Sequence, residues 1–253
     1  MSLISSDTLF HFTPSRESLI GILEHEFKPR LSLENFALVA QRLPPSGHML
    51  ECAIPMVCFC DIPLSQTGVH MEHYGRYGIG LKKTWGIGRR VAPVTYVHEN
   101  APGPQGIADL VTHIGQLTKS SSEESLTHSA LKPGILVYYM KPYEGRLERV
   151  GKKVRFYDER EWRYVPAEVE AFPPISREEL NDPIRRGRFE GALGALSRLS
   201  FDPWDINYII VESESEVLET YRAIDTIKRK YNDDDRSLLK TRILSAERIK
   251  ADF

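Results

Sequence analysis

VCFCDIPLSQTGVHMEHYGRYGIGLKK, residues Val57–Lys83, decides how this chain is read. Two short apolar runs, VCFC and YGIGL, flank a polar segment that carries Asp61, His70, His73 and Tyr74. Apolar runs of this length, bounded by Gly, Pro and Asp, predict strands over Ile54–Cys60 and Tyr77–Lys82. Asp61–Leu64 then turns the chain, and Ser65–Tyr74 forms a short helix between the strands. In the second strand Gly78 and Gly80 share a face with Lys82, where absent side chains let a ligand or another backbone come close. A strand–helix–strand unit this rich in ionisable and aromatic groups suggests a cleft rather than a plain scaffold.

The same alternation extends outward. Thr8–Thr13 predicts a first strand with His11 between Phe10 and Phe12, and Arg16–Glu24 a helix carrying Leu19, Ile20 and Leu23. Phe27–Gly47 is less regular, and Pro44 and Pro45 stop any helix before them. Val94–His98 reads as a strand, Asn100–Gly106 as irregular, Ile107–Leu117 as a helix and Ser120–Ser125 as a loop. Gly134–Met140, Val154–Tyr157 and Trp162–Val165 are predicted strands, the last two separated by the charged run Asp158–Glu161. Beyond Pro173 and Pro174, helices are expected over Arg177–Arg186, Phe189–Leu199 and Glu216–Lys228, with Ser176 and Glu179 in capping-box spacing. Strands are expected over Trp204–Val211 and Leu239–Ile243. Alternating elements on both sides of the proline pair favour one elaborated α+β domain over residues 1–253, with a subdivision near 173–174 as the alternative.

At 253 residues the chain is long enough to bury a core without metals or disulfides. Its 33 basic and 35 acidic residues nearly cancel, which argues against a general polyanion binder, although a local basic patch would be invisible in the total. Cys52, Cys58 and Cys60 are an odd, clustered set that fits a reducing cytoplasm. No run approaches 18 uncharged apolar residues, and the first residues lack a basic region followed by an apolar one, so a cytoplasmic protein without a membrane partner is expected. The chain contains no GxGxxG turn, P-loop, GxSxG elbow or HExxH pair. Cys58-x-Cys60 with His70 and His73 is weaker than a paired CxxC signature, and no metal is expected.

Three polar islands in apolar surroundings are the candidate site. His11 serves either as a structural histidine bonded to backbone or as a neutral imidazole that orients a ligand hydroxyl, with Thr13 on the same strand face. In FYDEREWRYVP, Phe156–Pro166, an extended chain places Glu159, Glu161 and Arg163 on one face and Arg160 on the other. Those charges read either as an exposed, salt-bridged strand start or as a carboxylate and guanidinium that hold a cationic centre and a phosphate. Tyr74 and Tyr77 are candidates to stack on a planar ligand, and Arg76 to contact phosphate.

LFHFTPSRESLIGIL (Leu9–Leu23), MVCFCDIPLSQTGVHMEHYGRYGIGLKKTWG (Met56–Gly86) and EREWRY (Glu159–Tyr164) together resemble the AbiGi family, described as antitoxins of abortive phage-resistance systems. A more distant resemblance, in the strand histidine of HFT followed by a helix ending near IL, is to DarT-type ADP-ribosyltransferases. That second resemblance implies a mixed or antiparallel sheet core with flanking helices and NAD as cofactor. It also implies His11 orienting the nicotinamide ribose, Tyr77 or Tyr74 stacking on nicotinamide, and Glu161 supporting an oxocarbenium-like state, with Glu159 competing for that role. Arg76 and Arg163 would contact pyrophosphate, and a nucleic acid or a protein would accept ADP-ribose. The alternative is a non-catalytic antitoxin-type protein whose carboxyl-terminal helices contact a cognate toxin or another protein.

Overall fold

Strand β1 (Thr8–Thr13) lies near the middle of a mixed sheet, paired along its whole length with β4 (Tyr77–Lys82) from Thr8↔Lys82 to Thr13↔Tyr77. The computed structural model describes residues 5–43, 50–120, 135–147, 150–171, 175–194 and 198–252. The sheet runs β13 (Ile243–Ser245), β12 (Ile206–Val211), β4, β1, β3 (Glu51–Cys60), β10 (Glu161–Tyr164), β5 (Ala92–Pro93). Only the β12–β13 pair in this order is parallel.

The long strand β3 holds two regions together. Its first half pairs with β2 (Arg30–Asn35) and β11 (Ile175–Ser176), and its last residues with β10 and, at the single pair Phe10↔Cys60, with β1. Beyond that pair β1 and β3 part. Two small pairs flank the sheet: β6 (Thr95–Val97) runs parallel to β7 (Met140–Pro142), and β8 (Gly145–Leu147) forms an antiparallel pair with β9 (Lys152–Val154).

Alternation sorts the two faces. Leu9, Phe59, Tyr77, Ile79 and Leu81 point to one side, where they meet Leu19 and Leu23 of α1 (Arg16–His25), Trp85 of α4 (Lys83–Gly88) and Ile224 of α9 (Glu214–Ile227). Phe10, Phe12, Cys60 and Ile210 point to the other, against Met71 of α3 (Thr67–Tyr74) and Ile249 of α11 (Ala246–Asp252). Helix α1 starts where Ser15 Oγ accepts from the Ser18 N–H at 3.2 Å, and its Leu19 and Leu23, one turn apart, are fully buried. Gly75 ends α3 with φ +116°; a β-carbon there would lie 2.2 Å from the Thr13 carbonyl oxygen, so only glycine lets α3 pass back into β4.

Several expectations change. Phe27–Gly47 contains strand β2 and the short helix α2 (Ala37–Ala40), and residues 135–138 within the predicted strand Gly134–Met140 are helical, forming α6. Helix α5 (Pro102–Ser120) begins inside the stretch expected to be irregular, with Pro102 at its start, where a fixed φ suits the first turn. Val154–Tyr157 divides between the end of β9 and a 3-10 turn at Phe156–Glu159. The helix expected over Arg177–Arg186 is two, α7 (Arg177–Asn181) and α8 (Pro183–Leu193), because Asp182-Pro183 breaks the first and caps the second. Helix α10 (Asp233–Lys240) takes the first residues of the predicted strand Leu239–Ile243. The proline pair 173–174, the residues 44–45 and the loop from 121 onward lie outside the described residues.

Candidate functional site

Seven polar side chains from six segments meet beside the β3–β10 ladder. Glu161 and Arg163 stand two apart on β10, so alternation puts both on one face, with Cys60 and Cys58 opposite them in register. Arg163 is fully buried and supplies every guanidinium nitrogen. Its Nε donates to Glu161 Oε1 at 2.6 Å, Nη2 to Glu34 Oε2 of β2 at 2.7 Å, and Nη1 to the carbonyl of Tyr138 at 2.7 Å. Lys141 of β7 donates to the second oxygen of Glu161 and to Glu159 Oε2, the latter at 2.7 Å, with its ammonium 4.7 Å from the centre of the Phe156 ring. Tyr74 of α3 donates to Glu159 Oε1 at 2.5 Å, and the backbone N–H of Glu161 donates to the Tyr96 hydroxyl of β6 at 2.7 Å.

The run DERE is not extended, which corrects the reading of one continuous strand face. Glu159 ends the 3-10 turn, Arg160 adopts left-handed φ +46°, and the strand starts only at Glu161. That reversal is what brings both glutamates onto one lysine.

Electrostatics follow from the geometry. Burial works to raise the Glu161 pKa, but Lys141 and Arg163 outweigh it and hold the carboxyl below the ordinary carboxylate range. Glu34 goes the other way: burial, with the Glu161 charge adding, exceeds the pull of Arg163. For Lys141 burial acts downward, and the three glutamates push its pKa well above the ordinary lysine value. Both carboxylate oxygens of Glu161 are therefore already held by cations. The arrangement can clamp four strands and a helix together; it leaves Glu161 little field for a further positive centre.

The other predicted site residues lie elsewhere. Because Phe10, Cys60 and Glu161 are register partners, His11 falls on the opposite face of the sheet from Glu161 and Arg163. This corrects the expectation of one cleft shared by His11 and Glu161. The His11 ring sits where β1 and β3 part, edge-on to Phe27 (5.1 Å between centroids) and Phe59 (5.8 Å), with Nδ1 2.8 Å from the Cys58 carbonyl oxygen. A carbonyl can only accept, so Nδ1 carries the proton. Burial lowers the His11 pKa, with Arg30 adding to the fall and the Cys58 bond opposing it.

Thr13 is buried at the far end of β1 opposite Tyr77, and Tyr77 donates its hydroxyl to Glu216 at 2.8 Å, beside the exposed pair Arg76–Glu212 at 3.0 Å. Tyr77 and Arg76 thus tie β4 to the start of α9. Tyr74 stacks on His70 with centroids 4.3 Å apart, and His70 packs on Phe12. Gly78 and Gly80 make room for aromatic rings rather than a ligand: their missing β-carbons would lie 2.9 Å from the Phe12 ring and 2.8 Å from the Phe10 ring.

Sequence reasoning missed Lys141, Glu34 and Tyr96. The first had a signal, a lone lysine inside the apolar run VYYMKPY; the second lies in RLSLEN, whose strict alternation marks a strand. Tyr96 had none.

A mixed, mainly antiparallel sheet covered by helices on both faces, with a compensated charge cluster at its heart, defines an α+β protein with a polar core. The sequence profile described as "Putative abortive phage resistance protein AbiGi, antitoxin" matches residues 26–212, and the chain belongs to the AbiGi family. It is similar to the "Abortive phage resistance protein AbiGi" of Lactococcus lactis subsp. cremoris, 28% identical over 256 residues that cover 90% of this chain and 99% of that relative. No solved structure matches the chain. Among the described residues no helix is long and apolar enough to cross a membrane.

Proposed function

We propose that this phage-defence protein acts without catalysis, as an antitoxin-type subunit that binds a toxin protein. The observation that carries this reading is the internal pairing of the buried charge cluster beside β10: Glu161 is saturated by Lys141 and Arg163. A carboxylate that has already spent its field on two cations suits a scaffold better than an oxocarbenium-like centre. The competing reading is transfer of ADP-ribose from NAD at His11, Tyr77 and Glu161 to a nucleic acid or protein. Against it stand the opposite faces taken by His11 and Glu161.

Exposed apolar side chains on the carboxyl-terminal helices support a protein contact there: Leu218 and Tyr221 on α9 and Leu238 on α10 are each about half exposed or more, amid charged neighbours. The test mixes the purified chain with the toxin of its own defence system and measures the mass of the product by light scattering. A complex of fixed stoichiometry, lost with Leu218→Asp and Tyr221→Asp, is the expected result. A folded chain that forms no such complex and instead binds NAD saturably overturns it.

A further inference from the structure

On the face opposite the charge cluster, a cleft of about 300 Å³ opens between the end of α4 and the segment that follows β10. Its lining includes Arg89, Arg90 and Arg198, together with Tyr164, Leu199 and, among the described residues, a single carboxylate, Glu168. Three guanidiniums on one small concavity reverse the sign of a chain whose overall charge is −2.

The backbone places the three arginines along the cleft. The Arg89 N–H closes α4 onto the Trp85 carbonyl at 3.0 Å, and Val91 returns to the Gly86 carbonyl at 2.9 Å. Between them Arg90 takes φ +65°, a left-handed conformation that is strained for an arginine and easy for a glycine. Its charge reaches the half-buried phenol of Tyr139 and the buried phenol of Tyr164, where it works against the rise in pKa that burial imposes. Arg198, also in the lining, is held by Nη1 donating to the His25 carbonyl at 2.6 Å. Arg89 and Arg90 are exposed, and neither forms an ion pair with a carboxylate of the described residues.

We infer that this cleft is a binding site for a phosphate dianion. Three arginines less one glutamate leave an excess of two positive charges, matching the dianion, and guanidinium forks engage phosphate oxygens in pairs. The shared chemistry is the phosphate; its source is either inorganic phosphate or the phosphate of a mononucleotide.

The experiment is calorimetric titration of the full chain with inorganic phosphate, a 5′-mononucleotide and succinate, each to about 5 mM. Arg89→Ala, Arg90→Gly and the charge-keeping Arg90→Lys run beside the wild type. Arg90→Gly removes the guanidinium while relaxing the left-handed residue, so its thermal melt should match or exceed the wild type and certify the fold. Saturable binding of a phosphate compound, weakened at least about tenfold by Arg89→Ala and by Arg90→Gly and less by Arg90→Lys, is expected. Equal affinity for both phosphate compounds assigns the site to phosphate alone, and tighter mononucleotide binding assigns the nucleoside too. Absence of saturation, unchanged binding in both variants, or succinate binding as tightly as phosphate overturns the inference.

Discussion

Arg163 donates to two glutamates and a carbonyl from a fully buried position, so its removal strands two acids at once. Arg163→Met should cost about 3–5 kcal/mol in urea unfolding near neutral pH, the usual penalty for leaving one side of a buried pair uncompensated. The two acids respond to pH with opposite signs. The folded pKa of Glu161 lies below its ordinary 4.5, so its contribution is full above that value and drains as pH falls toward the folded pKa. Glu34 has a folded pKa above 4.5, so its ionised form weakens the fold and protonation relieves it. The stability difference between wild type and Glu161→Gln should therefore shrink below about pH 4.5, whereas the wild type should gain on Glu34→Gln earlier in the descent, as pH falls through the raised folded pKa toward 4.5. His11 adds a third signature. With its folded pKa below 6.5, the unfolded chain takes up a proton the fold refuses, so stability falls as pH drops below about 6.5. His11→Gln retains a donor for the Cys58 carbonyl, and its unfolding midpoint should lack that part of the acid loss. At this scale the sequence was half legible: two neighbouring glutamates and an arginine were visible, but a left-handed Arg160, which brings Glu159 and Glu161 onto one lysine, leaves no trace in residue order.

Strand β4 shows how an element can be right while its purpose is misread. Its bounds, Tyr77–Lys82, follow from the apolar run and the flanking breaks, yet the glycine face seats the rings of Phe10 and Phe12 rather than a ligand. Gly80→Ala should destabilise by about 1–3 kcal/mol, since its new β-carbon meets Phe10 and Thr8 side-chain atoms at 2.8 Å. Combined with Phe10→Leu, the cost should fall short of the sum, and a double-mutant cycle by urea unfolding measures that coupling. The elements that failed did so for a stated reason. The run ILVYYM is apolar throughout, and a short run without alternation does not separate a buried strand from a buried helix. Proline and glycine in Asn100–Gly106 signal a break, but Pro102 is the first residue of α5, where a missing N–H costs nothing.

For the whole molecule, sequence indicated α+β class and a sheet with helices around it, whereas the distribution of residues over two faces depended on register, which no single strand encodes. One pair, Phe10↔Cys60, places His11 and Glu161 back to back. Titration with NAD should accordingly show no heat that depends on both residues, comparing wild type with the His11→Ala, Glu161→Ala double variant; saturable binding lost only in that variant would return weight to transfer chemistry. The central place of β3 also has a temporal side. Its pairing with β2 needs only neighbouring chain, but Glu161, the partner of Cys60, is synthesised about one hundred residues later. At ribosomal speeds of about 5–20 residues per second, the outer edge of an apolar strand waits roughly 5–20 seconds for cover. A chain cut short anywhere before Tyr164 keeps that edge bare, and becomes material for aggregation or proteolysis rather than a smaller working protein.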